Sequence, residues 1–343
     1  MRHPWANLAL LGLVMLQVAS GLAALLAPPA GVRVAIWAHA LGAYAIIVVL
    51  FCKATVVWDA VRRRPGLGPA RIALTAMVLL LAAVLATGLV WIVGGRYAVF
   101  GISGINLHAY LALALAALVG WHALDRRWVA GLPRAADRVA LLRMGAVAVA
   151  GLAVWQAERA AQALIGTPGS RRRYTGSYEV GSSGGRFPVT SWLNDDPPSL
   201  DPAGWRLVVE GAVDRPVSVA MADIASLPVD SQETVLDCTG GWYTRQVWSG
   251  VRLERVLGLA GVRRGARSVE VHSATGYRRR FPVERAVGLL LATEVAGRPL
   301  SRGHGAPARL VVPGDRGYAW VKWVTRIEVL RSSHLLQPPL PLT

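Results

Sequence analysis

The stretch SRGHGAPARLVVPGDRGYAWVKWVTRIEV, Ser301 to Val329, decides how the second half of this chain folds and what it can hold. It sets His304, Arg309, Arg316 and Lys322 among glycines, so cationic side chains and open backbone N–H donors occur together, a combination suited to a phosphate. Its end alternates apolar and polar residues, as do WRLVVEGAV and SVEVHSA upstream, and that alternation predicts half-buried strands. RLERVLGLAGV and ERAVGLLLATEV have helical spacing. Residues 187–343 are therefore predicted to form an α+β domain with a mainly antiparallel or mixed sheet, long enough to bury its own core.

The residues before it are of another kind. The chain has 343 residues, 54% hydrophobic and 17% charged, with a formal net charge of +17. That is too apolar for one soluble globule and too long for one domain. Up to about Trp155 it consists of long apolar runs broken by short basic or Gly/Pro loops. A membrane span needs roughly 20 apolar residues. Five are read, at about 7–27, 34–57, 70–94, 107–124 and 139–157, with tryptophans near their ends as interfacial anchors. An all-α transmembrane bundle in contact with lipid is expected over 1–160, followed by a Gly/Ser/Arg-rich tether over 161–186.

The arginines cluster in loops beside the apolar runs, not along one face of a soluble helix, which argues against a nucleic-acid partner. Arg2, Arg62, Arg63, Arg64, Arg71, Arg126, Arg127, Arg134 and Arg138 fall on one side of the expected bundle, against Arg33 and Arg96 on the other. The positive-inside rule makes the richer side cytoplasmic and, after five spans, puts the C-terminal domain outside the cytoplasm.

Within the spans, His39 opens the second and His108 the fourth. These run in the same direction, so both imidazoles lie near the outer surface, placed to hold one haem iron from opposite sides. His122 follows His108 by fourteen residues, which at ~100° per residue returns to within about 40° of the same helix face, roughly 21 Å deeper. That spacing suits a second haem. The pattern resembles membrane cytochromes b of the ferric-reductase and bacterial di-haem type, and the resemblance implies haem b and exchange of electrons with a quinone or quinol pool. Where a second histidine should follow His39 by fourteen residues the chain has Lys53, with His3 as a substitute candidate. The alternative is that these rings snorkel to lipid headgroups.

The chain has two cysteines. Cys52 lies in a span, and Cys238 lies in LDCTGGWYTRQVWSG, Leu236 to Gly250, so a disulfide between them is not expected and no zinc-ligand spacing exists. Unpaired outside the cytoplasm, Cys238 is buried, nucleophilic or a metal ligand. Thr239, Gly240 and Gly241 leave the backbone beside it open to a bulky cofactor. Taken with G-x-P-x-R-L-x-x-P at Gly305 to Pro313 and V-K-W-V-x-R-I at Val321 to Ile327, this stretch resembles the molybdopterin-binding domain of the sulfite oxidase family, over about Phe187 to Ser332.

The resemblance implies that Cys238 ligates molybdenum beside Thr239 and Gly240, and that His304, Arg309, Arg316 and Lys322 contact the molybdopterin and its phosphate. Sulfite oxidases follow the cysteine with a basic pair. Here Trp242 and Tyr243 stand there as candidate catalytic-side residues, which is closer to the bacterial periplasmic branch that reduces protein methionine sulfoxide. The haem-bearing membrane partner of that branch would here be fused into one chain, in a bacterial cytoplasmic membrane.

The function expected from these readings is a membrane-bound molybdenum oxidoreductase passing electrons between the quinone pool, haem b and an extracytoplasmic molybdenum centre. Its substrate would be a small or peptide-bound sulfur compound, with reduction of an S-oxide as the reaction and oxidation of sulfite or a similar anion as the alternative. From other classes, a thiol enzyme with Cys238 as nucleophile and His304 as base, or an inactive binding module, would use the same residues differently. Tyr277 and Arg278 to Arg280 fall on an apparent strand, as surface residues or substrate binders.

Overall fold

The computed structural model describes residues 4–26, 29–62, 68–125, 138–191, 196 and 198–338. His3 and the loop arginines Arg2, Arg63, Arg64, Arg126, Arg127 and Arg134 lie outside the described residues. The chain divides into two compact units, Met1–Tyr178 and Glu179–Thr343.

The first unit is built on five helices: α1 (Pro4–Leu26), α2 (Pro29–Arg62), α3 (Pro69–Gly94), α4 (Gly104–Asp125) and α5 (Arg138–Ile165). Proline opens the first three, where its fixed φ suits the first turn and its missing N–H costs nothing. All five are long and apolar enough to cross a membrane. Phe51, Leu79 and Val149 are among the large apolar side chains turned outward, as lipid contact requires. α5 approaches α2 closely at Gly151, where a Cβ would stand 2.9 Å from the backbone nitrogen of Ala45. A short hairpin, β1 (Ala98–Val99) with β2 (Ile102–Ser103), joins α3 to α4.

Residues 166–178, expected as part of a loose tether, are fastened to α3. Trp91 Nε1 donates to the carbonyl of Gly176 at 3.2 Å, and the Tyr178 hydroxyl donates to the carbonyl of Trp91. Gly169 sits so tightly against the Ile92 carbonyl that a Cβ would come within 1.6 Å of it. Gly/Ser/Arg composition predicts flexibility only where no such contacts form.

The second unit carries β3 (Tyr178–Glu179) at its start, then β4 (Arg206–Gly211), β5 (Val217–Ala220), α6 (Met221–Ser226), β6 (Asp230–Cys238), β7 (Trp242–Arg252), α7 (Leu253–Ala260), β8 (Ser268–Ser273), β9 (Arg278–Pro282), α8 (Val283–Ala286), β10 (Leu290–Val295), β11 (Arg298–Pro299), β12 (Arg309–Val311) and β13 (Val324–Leu330). One sheet runs β5-β4-β13-β8-β9, in which only β13 and β4 are parallel. The other runs β11-β10-β7, with β6 along β7 and β12 along β10, all antiparallel.

The strands alternate as their sequences do. Along β7, Trp242, Thr244, Gln246 and Trp248 are buried while Arg245 and Val247 face out. α7 buries Leu253, Val256, Leu257 and Ala260, the one-face spacing of an amphipathic helix. With Leu207, Leu290, Leu310 and Ile327 they form one core in which each large side chain contributes about 1.5–3 kcal/mol of burial.

Candidate active site

β6 ends at Cys238 and β7 begins opposite it, with Cys238 in register with Trp242. The turn between them closes by a hydrogen bond from Gly241 N–H to the Cys238 carbonyl at 3.1 Å, with Gly241 at φ +84°. The Gly240 N–H points at Cys238 Sγ, 3.3 Å away. Arg316 fixes the strand end from behind: Nη2 donates to the Cys238 carbonyl at 3.2 Å, and Nε lies 3.5 Å from Asp237 Oδ1. Gly317 packs closely against Cys238, whose Cα would be 3.3 Å from an added Cβ. Arg316 thus positions the cysteine and does not line the pocket in front of it.

Burial pushes the Cys238 thiol above its ordinary pKa, against the opposing pull of the Gly240 N–H, the Thr190 hydroxyl and Arg316. Such a thiol is a poor free nucleophile, but a metal that takes the proton's place converts it to a thiolate ligand.

The cations converge on the same pocket. Arg309, at the start of β12, is buried with its guanidinium 5.0 Å from the Trp248 ring centroid and 5.4 Å from that of Trp320. Its Nη1 donates to the His304 carbonyl at 3.0 Å, whereas its buried Nε has no hydrogen-bond partner among the described residues. Burial lowers its pKa to about 9, an effect that the nearby Cys238 opposes. Lys322 Nζ donates to the Thr190 carbonyl and the Ser191 hydroxyl, both at 3.1 Å, and lies 4.1 Å from the Trp323 ring centroid. Gly305, at φ +108°, packs against both residues: a Cβ there would stand 3.0 Å from Arg309 Cβ and 3.2 Å from Lys322 Cβ.

His304 Nε2–H donates to the Phe187 carbonyl at 3.0 Å, and Nδ1 accepts from the Ser301 hydroxyl at 2.9 Å. Burial lowers its pKa, as Arg309 and Lys322 also do, while the Phe187 carbonyl opposes the shift. Its folded pKa lies below the unfolded value near 6.5, so the unfolded chain binds the extra proton first. The stability that neutral His304 contributes is present above that value and is lost as pH falls toward the folded pKa. Thermal unfolding between pH 7 and pH 5 is therefore expected to destabilise the wild type more than His304→Gln, and parallel curves for the two would refute this.

Of the residues expected at this site, Cys238, Thr239, Trp242, His304, Arg309 and Lys322 line one pocket, while Gly240 touches the cysteine sulfur from the turn. Tyr243 is half-buried and, by strand alternation, on the opposite face of β7 from Trp242; it does not line the pocket. Tyr277, weighed as a surface residue or a substrate binder, is buried and lines it, as do Thr190, Ser191 and Tyr318, which the sequence reading did not name. Trp242 Nε1 donates to Thr190 Oγ1 at 3.2 Å, and the Tyr277 hydroxyl donates to the Tyr318 carbonyl. Arg279 stacks over the Tyr318 ring at 5.4 Å, and Arg280 pairs with Glu270 at 2.8 Å.

A molybdopterin offers a soft metal at one end and a phosphate at the other. The pocket matches both, with a buried sulfur beside an open turn and two cationic side chains, Arg309 and Lys322, the first keeping a buried N–H without a partner among the described residues.

In the first unit, the His39 and His108 ring centroids are 6.1 Å apart with planes at 76°. His39 Nδ1–H donates to the Gln17 carbonyl at 3.2 Å with Ser20 Oγ at 3.1 Å, and His108 Nδ1–H to the Val84 carbonyl at 3.0 Å with Thr87 Oγ1 at 3.2 Å. Glycine follows each hydroxyl residue and abuts the ring: an added Cβ would be 3.4 Å from His39 Cε1 at Gly21 and 3.1 Å from His108 Cε1 at Gly88. QVASG (Gln17–Gly21) and VLATG (Val84–Gly88) thus repeat one device that commits Nδ1 and leaves Nε2 for a metal. Two imidazoles holding one metal at about 2 Å each would have centroids roughly 6 Å apart, so the pair fits a haem iron. His122 lies half-buried in the last turn of α4, and Lys53 donates to the Asn7 side chain.

Residues 194–335 match the family described as oxidoreductase molybdopterin binding domain. The chain is 34% identical over 166 residues to the mitochondrial sulfite oxidase of Rattus norvegicus, covering 38% of this chain and 30% of that protein. It is 32% identical over 151 residues to the uncharacterized oxidoreductase YuiH of Bacillus subtilis (strain 168), covering 43% and 76%. The crystal structure of the sulfane dehydrogenase SoxCD from Paracoccus pantotrophus aligns with a TM-score of 0.39 at 28% identity, over 40% of this chain and 41% of that one. The chain spans under a third of the rat sulfite oxidase and about three quarters of YuiH. With Cys238 at the end of β6 and the basic pocket before it, the chain belongs, through its C-terminal unit, to the sulfite oxidase-like family of molybdopterin-binding oxidoreductases.

Proposed function

We propose that the protein is a membrane-bound molybdenum enzyme that reduces an S-oxide, small or peptide-bound, with electrons drawn from the quinol pool through a haem b held by His39 and His108. The observation that carries this reading is the coexistence, in one chain, of the Cys238 pocket and a histidine pair spaced for one iron. The bound molybdenum centre would supply two-electron oxygen-atom transfer. In balance, R2S=O with two protons and two electrons gives R2S and water.

This chain's residues do the rest. Cys238 would hold the metal, and Arg309, Lys322 and His304 the anionic end of the pterin. Trp242, Tyr277 and Tyr318 give the pocket aromatic walls that suit a thioether product better than a small dianion. The arginine distribution supports a C-terminal unit outside the cytoplasm of a bacterial inner membrane. His122 would serve a second, inner haem.

Sulfite oxidation with electrons flowing toward the membrane is the second reading, favoured by the sulfite oxidase relatives. The two part on direction. Under anaerobic conditions, methionine sulfoxide is expected to oxidise the pre-reduced haem of the purified protein, and reduction of oxidised haem by sulfite would overturn the reductase reading.

A further inference from the structure

Between α2 and α5 lies a group of polar side chains that neither haem nor molybdenum explains. Tyr44 is 6% exposed and Gln162 5% exposed. Gln162 Nε2 is buried without a hydrogen-bond partner among the described residues, and the buried Tyr44 hydroxyl and Glu158 carboxylate face each other. The groups are neighbours: Tyr44 and Glu158 act on each other, and Arg172 acts on both. Gln162 Oε1 is already engaged by the Thr167 hydroxyl at 3.2 Å, so its amide N–H groups are what remains to offer.

Unpartnered polar groups cost free energy wherever they are buried, and a buried carboxylate at the end of a membrane-crossing helix calls for a functional explanation. The set has a definite chemistry. Gln162 and Tyr44 donate to an oxygen that accepts, while Glu158 accepts from an oxygen that donates. Arg172 and Arg159 stand near Glu158, so the group as a whole is not anionic, and Ala45 packs against Gly151 on the same pair of helices. One carboxylate with a phenol and an amide is a poor metal site. A quinone headgroup fits, because its oxygens accept hydrogen bonds when oxidised and donate them when reduced.

We infer that Tyr44, Glu158 and Gln162 bind the headgroup of the membrane quinol and that Glu158 takes up its protons. This rests on the proposed electron route and names where quinol enters it. Quinol becomes quinone as two O–H bonds break. The two electrons would leave singly to a haem that His39 and His108 would hold, and the two protons pass in turn through the Glu158 carboxylate to water.

The test uses the purified full-length protein and stopped-flow reduction of the haem by decylubiquinol and, separately, by menadiol. Glu158→Gln is expected to slow reduction at least tenfold by whichever quinol the wild type uses, with haem content and the dithionite-reduced spectrum unchanged. Tyr44→Phe and Gln162→Leu should slow it in the same direction, and they decide the matter if Glu158→Gln does not assemble. An azidoquinone should label peptides of α2 or α5 in the oxidised protein, a readout independent of turnover. Wild-type rates in all three variants, or label confined to other helices, would overturn the site while leaving the electron route intact. A wild type without haem, or with haem that neither quinol reduces, would overturn the route and the site together.

Discussion

Cys238→Ser is expected to lower S-oxide reduction by at least about 100-fold, beyond the 10–100-fold typical of losing an outer-shell partner of a metal, while the fold of the C-terminal unit is kept. The sulfur ends a strand whose backbone is held by register with β7, by Arg316 and by the close approach of Gly317, none of which uses the thiol. The side chain is nearly the same size after substitution, so little core volume is lost. What disappears is the soft anionic ligand. Circular dichroism and haem content should match the wild type, and full activity in a well-folded Cys238→Ser protein would remove the basis for a metal at this site.

The second large effect concerns the membrane histidines. His39→Ala or His108→Ala should each abolish the haem proposed for this pair, because only one of its two imidazole ligands would remain. Quinol-dependent turnover should fall to background. Activity supported by reduced methyl viologen added from the aqueous side should persist, since that donor bypasses the membrane route. The split matters: loss of both activities would mean that the variants misassemble, and retention of both would mean that the pair at 6.1 Å plays no part in electron delivery.

Much of this architecture is legible in the residues. Five apolar runs set the spans because the bilayer imposes a minimum length on any helix that crosses it. The spacing from Gly305 to Lys322 anticipates the pocket because glycine at φ +108° lets the backbone pass close to both Arg309 and Lys322. Thr190 and Ser191 were not legible. They reach Trp242 and Lys322 across 52 and 131 residues of chain, and no local periodicity reports such a contact. Tyr243 was paired with Trp242 because the two stand where sulfite oxidases carry a basic pair, but a strand begins at Trp242, and alternation sends its neighbour to the other face. Residues 166–178 hid their attachment to Trp91 behind a flexible composition. The QVASG and VLATG repeat, by contrast, was present in the sequence, and its meaning emerges only when the carbonyls of Gln17 and Val84 are seen to hold the two histidines.

The central claim, that the Cys238 thiolate binds molybdenum in this chain, is open to one direct measurement. Molybdenum K-edge X-ray absorption of the purified wild type and of Cys238→Ser compares the ligands around the metal. The account predicts molybdenum in the wild type and one sulfur ligand fewer in the variant. Molybdenum absent from the wild type, or a sulfur shell identical in the two proteins, would contradict it.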